Sequence, residues 1–166
     1  MDADLLKELF QKHYAPAVLY CTALCGDAHL AQDLASDAFV KAYLSLPNDV
    51  PSFRYWLLRV CRNLWLDHLR KHKWETSAEP LQYLADHTTP ETKYLQSERN
   101  RCLWNAISQL PPLDQELVTL HYFSGLSLQE AAQILGKSYA ATRQRMVRLR
   151  QTLKSRMEEQ GYGQLD

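Results

Sequence analysis

A chain of 166 residues can hold one ordinary domain or two small ones, and 46% hydrophobic with 23% charged residues is a globular balance. Only 5 glycines occur, which argues against a turn-rich all-β protein and for helices. The zero net charge hides a segregation. Lys137 to Met157 holds seven bases and no acid, Arg54 to Lys73 six bases against Asp67, and Glu75 to Glu98 five acids against Lys93. Two basic blocks around an acidic connector suit a protein that touches polyanion in two places.

The start, Met1-Asp2-Ala3-Asp4, lacks the cationic region and apolar core of a signal peptide. No apolar run nears the roughly 18 to 20 residues that span a bilayer, so a cytoplasmic protein without membrane insertion is expected. From Leu5 to Leu24 apolar residues recur at spacings of three and four, the pattern of an amphipathic helix, which Pro16 is expected to divide by removing a backbone donor. Gly26-Asp27 offers a stop and an N-cap before a second stripe, Leu30, Leu34, Ala38, Phe39, Ala42, Tyr43 and Leu46. Pro47 to Ser52 is a loop, and Phe53, Trp56, Leu57, Val60, Leu64 and Leu69 mark a third helix with a basic tail from Arg70 to Lys73. Trp56 falls on the apolar stripe and is read as core. Cys21, Cys25, Cys61 and Cys102 form no CxxC pair and read as buried hydrophobes rather than disulfide partners.

From Trp74 to Pro90 the periodicity fails, and a linker of about fifteen to twenty residues would be unusual inside one compact domain. Two modules follow from this, residues 1–73 and 91–159, with a linker over 74–90 and a tail over 160–166. Thr89-Pro90-Glu91 predicts a helix start. Tyr94, Leu95, Cys102, Leu103, Ala106 and Leu110 are its stripe, Pro111-Pro112 breaks it, and Leu113, Leu117, Val118 and Tyr122 continue as a second helix to Gly125.

Ser127-Leu128-Gln129-Glu130 is a capping box: hydroxyl and carboxylate each accept the other residue's backbone N–H. Ala131, Ala132, Ile134 and Leu135 form an inner face, Gly136 suits a left-handed stop, and Ser138 can cap a further helix. That helix carries Arg143, Arg145, Arg148 and Arg150 opposite Met146, Leu149 and Leu153. This is a helix-turn-helix, whose second helix enters the major groove with its N-terminal residues at base edges and later cations on phosphates. Ser138, Tyr139, Ala141, Thr142, Arg143 and Arg145 are the expected groove contacts, and Arg148 and Arg150 the backbone contacts.

With these motifs the chain resembles the extracytoplasmic-function (ECF) sigma factors of bacterial RNA polymerase over nearly its whole length. Leu110-Pro111-Pro112-Leu113, Gly125 to Ala132 and Gly136 to Arg150 are similar to that family's −35 module, departing from it at Ala140-Ala141-Thr142, where Gly-Thr-Val is more usual. Ala31 to Tyr43 resembles the helix the family docks on core polymerase, which implies contacts by Asp33, Leu34, Asp37, Phe39, Lys41 and Tyr43; Phe39 and Tyr43 read equally well as core. Phe53 to Asn63 and Asp67 to Lys71 resemble the helix that opens the −10 element. Opening DNA needs flat side chains to replace lost stacking, polar groups to read an unstacked base and cations to hold the strand. Tyr55 or Trp65 can stack, Asn63, Asp67 and His68 are placed to meet bases, and Arg62, Arg70 and Lys71 to hold phosphates.

The resemblance implies an all-α fold: a region 2-like bundle of three or four helices and a region 4-like helix-turn-helix, joined by a flexible linker. Its partners would be core RNA polymerase, promoter DNA and an anti-sigma factor, with no cofactor, no metal and no enzymatic activity. It also implies that the acidic connector runs along the polymerase's RNA-exit path. A helix-turn-helix regulator that works without polymerase explains the second module equally, but not the aromatic and basic third helix. Zinc ligation by Cys21, Cys25 and His29, or by His68 and His72, fits helical spacing, although the Gly26-Asp27 break misaligns His29.

Overall fold

The computed structural model describes residues 1–73 and 98–162. Helix α1, Ala3–Cys25, starts on the Asp2 carboxylate, which accepts from the Leu5 N–H at 2.8 Å, and stops at Gly26, whose φ of 73° lets its N–H return to the Thr22 carbonyl. It runs unbroken through Pro16, contrary to the expected division. Pro16 removes one donor, but Ala17 to Cys21 beyond it are buried, and before it Phe10 stacks on Tyr14 and meets Phe39 edge-on. Packing on both sides outweighs the missing bond.

Helix α2, Ala28–Ser45, is capped by Asp27. Its alanines at 31, 35, 38 and 42 have no exposed surface and let α1 approach closely. Its end is tied to the chain start, because the Met1 ammonium donates to the Leu46 carbonyl at 2.7 Å and Asn48 bonds Asp2. Helix α3, Phe53–Lys71, buries Phe53, Leu57, Leu58 and Cys61 against α1 and α2. Trp56 is half-buried and stacks near Phe53, in keeping with its place on the apolar stripe. Cys21, Cys25 and Cys61 are buried free thiols in this core, and Cys102 is half-buried.

Helix α4 is described from Glu98 to Ser108. The expected start at Thr89-Pro90-Glu91, the stripe residues Tyr94 and Leu95 and the connector over 74–90 lie outside the described residues. Helix α5, Pro112–Val118, has proline in its first turn and continues as a π turn, Thr119–Phe123, before Gly125 at φ 74°. Helices α6, Leu128–Leu135, and α7, Tyr139–Glu159, complete the second bundle, in which buried Trp104 stacks on Phe123 at 4.8 Å. The described residues contain helices and no strand. The two bundles also touch: α1 packs on α5 and the π turn, α3 packs on α6, and one apolar cluster runs through both.

Candidate nucleic-acid interface

The turn between α6 and α7 is built by local bonds. Glu130 N–H donates to Ser127 Oγ at 3.0 Å, and Ser127 N–H to Glu130 Oε1 at 3.1 Å, closing the capping box. Gly136 at φ 66° ends α6, and Ser138 Oγ accepts from Ala141 N–H at 3.1 Å to start α7. Met146, Leu149 and Leu153 are buried under α7, as their spacing predicts.

The face of α7 turned away from them carries the open groups. Ser138, Tyr139, Ala141, Arg143, Arg148 and Arg150 are exposed. Thr142 is not: it is 3% exposed, and its hydroxyl donates to the Ser138 carbonyl. Arg145 is half-buried, and its guanidinium donates to Asp114 on α5 at 2.8 Å. A shallow concavity on the outer face is lined by Ala140, Arg143, Gln144, Val147 and Arg148. Gln144 and Val147 were not singled out from the sequence. Their signal is their phase, since positions 140, 143, 144 and 147 share an arc opposite Met146, Leu149 and Leu153.

On α3, Asn63, Arg70 and Lys71 are exposed, and Asp67 forms an ion pair with Arg70. His68 lies between Trp65 and His72, with ring centroids at 5.6 and 4.4 Å. Tyr55 and Trp65 are both half-buried against the core, so each offers part of a ring to solvent. Arg62 is turned the other way: its Nε donates to Glu116 of α5 at 3.0 Å. His13, behind this helix, has its pKa lowered to about 4, first by burial and then by the neighbouring Arg54 and Lys12, and is neutral near pH 7.

On α2, Asp33, Asp37, Lys41 and Tyr43 are exposed. Leu34 and Phe39 are core, and Phe39 lies within 5.0 Å of the Phe10 ring and 5.8 Å of Phe53. Val40 and Leu44, at 54% and 76% exposure, join Asp33 and Asp37 at helical spacing to make a mixed apolar and acidic stripe. Sequence periodicity could have found both, since each lies out of phase with the buried alanines.

Residues 9–75 match the family described as Sigma-70 region 2, and residues 100–153 match Sigma-70, region 4, so both bundles are those of the sigma-70 class. The chain is 30% identical to the ECF RNA polymerase sigma factor SigM of Bacillus subtilis, over 90% of this chain and 93% of SigM. It is 27% identical to SigW of the same organism, over 95% of this chain and 91% of SigW. Among solved structures it is similar to the sigma factor RpoE of Bartonella quintana, solved with the anti-sigma factor NepR. That likeness has a TM-score of 0.70 at 22% identity, over 95% of this chain and 98% of RpoE, and shows the fold. The chain belongs to the ECF RNA polymerase sigma factors. This membership favours polymerase-dependent initiation over the independent regulator.

Proposed function

We propose that the chain binds core RNA polymerase through α2, holds the opened −10 strand on α3 and reads the −35 duplex with α7. The observation that carries this division is that three faces of different chemistry stand exposed on three different helices. The stripe of Asp33, Asp37, Val40, Lys41 and Leu44, flanked by Tyr43, mixes charge with apolar surface as a protein interface does. On α3, Asn63, Asp67 and His68 meet unstacked bases, and Arg70 and Lys71 hold phosphates, whereas Arg62 is engaged with Glu116.

On α7, Arg143 and Gln144 have the donor geometry for guanine and adenine edges, worth about 1–3 kcal/mol of discrimination per good pair, while Ala140 and Val147 suit a thymine methyl. Ser138, Tyr139 and Ala141 border that face, and Arg148 and Arg150 hold the backbone. Thr142 and Arg145 serve by fixing the helix. The factor would direct the polymerase without doing chemistry itself and would act in the cytoplasm, where its polymerase is. No described helix is long and apolar enough to cross a membrane. An anti-sigma partner is proposed from the complex in which RpoE was solved. Residues 1–73 and 91–159 are proposed as the functional modules.

Run-off transcription with core polymerase tests the division. Asn63→Ala should lose discrimination against −10 substitutions and keep it at −35, and Arg143→Ala the reverse, each by about five- to a hundredfold. Identical responses of the two variants to both promoter mutations would refute it.

A further inference from the structure

The outer face of α7 carries an apolar side chain that the fold leaves unburied. Val147 is 53% exposed and lines the shallow concavity with Ala140, Arg143, Gln144 and Arg148. Packing does not account for it, because α7 buries Thr142, Met146, Leu149, Leu153 and Met157 on its other side. Helix propensity does not account for it either, since a β-branched residue is a poorer helix former than the Gln and Arg around it. Ala140, exposed in the first turn of α7, is the other apolar group of the concavity.

Resting on the assignment of α7 to the −35 duplex, we propose that Ala140 and Val147 set its specificity by each receiving the 5-methyl group of a thymine. The two thymines flank the purines met by Arg143 and Gln144. In the major groove guanine, cytosine and adenine present only polar groups at their edges, and thymine alone adds a methyl. An apolar side chain there gains burial from thymine alone. Against any other base it strips water from a polar edge without replacing the hydrogen bond. Positions 140 and 147 share the outer arc of the helix and stand about 10.5 Å apart along its axis, at roughly 1.5 Å per residue. Base pairs rise about 3.4 Å each, so the two methyl groups lie about three base pairs apart, on either strand, because both strands share the groove.

The surroundings of Val147 suit this contact. Arg148 adjoins it and Arg143 stands one turn before it, both exposed, so cations border the apolar floor and draw the helix onto the polyanion. Alanine and valine are short, and they let the helix come close enough to the base edges for a methyl-to-methyl contact.

The test uses the full chain with core polymerase. Duplexes carrying a randomised upstream segment are selected for binding. The enriched duplex is then remade with deoxyuridine for thymidine at one upstream position at a time, which deletes the methyl group and keeps the base pair. Uracil at two positions about three base pairs apart should each weaken binding about fourfold, as expected for one methyl group left unburied. Val147→Ala should remove that penalty at one position and keep it at the other, and Ala140→Gly the reverse. Val147→Thr, of the same shape but polar, should fall between Val147→Ala and wild type. Should Ala140→Gly lose helical circular dichroism, the two Val147 variants decide. Uracil tolerated at every upstream position, an enriched motif without thymine, or a penalty unchanged in both Val147 variants would overturn the thymine contact alone. A selection that enriches no upstream motif, or one indifferent to Arg143→Ala, would sink the assignment of α7 to the −35 duplex and the thymine contact with it.

Discussion

Arg143 and Arg145 lie two positions apart on one basic helix, yet they stand in different surroundings. Arg143 is open to solvent, whereas Arg145 lies against Asp114, a largely buried carboxylate 31 positions away. The sequence marks both as cations near the start of a recognition helix and cannot separate them, because the partner is brought there by the packing of α5 on α7. Thr142 is a similar case, its hydroxyl spent on Ser138. Arg145→Ala should therefore lower stability by about 1 kcal/mol, after discount for its part exposure, by leaving Asp114 without its cation. Arg148→Ala should stay within about 0.5 kcal/mol of wild type while weakening DNA binding. Urea denaturation of the two variants checks the contrast, and equal losses would remove the distinction between a positioning and a contacting arginine.

At the scale of elements, the α6 turn was legible because its signals are local. The cap residues of both helices lie within three positions of the groups they satisfy, and Gly136 needs only its own backbone. Nothing stands within 4 Å of a Cβ built at Gly136, so a side chain there meets backbone strain at φ 66° and no clash. Gly136→Ala should cost about 1–2 kcal/mol and Gly136→Asn less, read as a lower thermal midpoint at unchanged helical signal. An alanine variant as stable as wild type would contradict the left-handed stop. Helix α1 is the opposite case. Proline predicts a break from local physics, and the helix continues because contacts with α2 and α3 hold both halves of it. The π turn after α5 likewise had no local signature, as Val118 and Tyr122 sit on an ordinary helical stripe.

For the whole molecule, charge segregation and the failure of periodicity after Trp74 revealed two helical modules, and the helix-turn-helix revealed a duplex reader. The packing of one module on the other was hidden. Tyr20 falls off the apolar stripe of α1, and its partner Glu116 is 96 positions distant, so no spacing rule links them. Leu34 and Phe39 are the contrary case: both lie on the apolar stripe that spacing marks and the fold buries, although the resemblance implies polymerase contacts for them, and Val40 and Leu44 beside them are exposed. On the proposed function, one chain reads two promoter elements from separate modules. Its most direct test is sequencing of the 5′ ends of transcripts made from genomic DNA by core polymerase with the purified factor. Start sites should be preceded by two shared motifs with centres about 25 base pairs apart. Starts with a single shared motif, or none dependent on the factor, would contradict it.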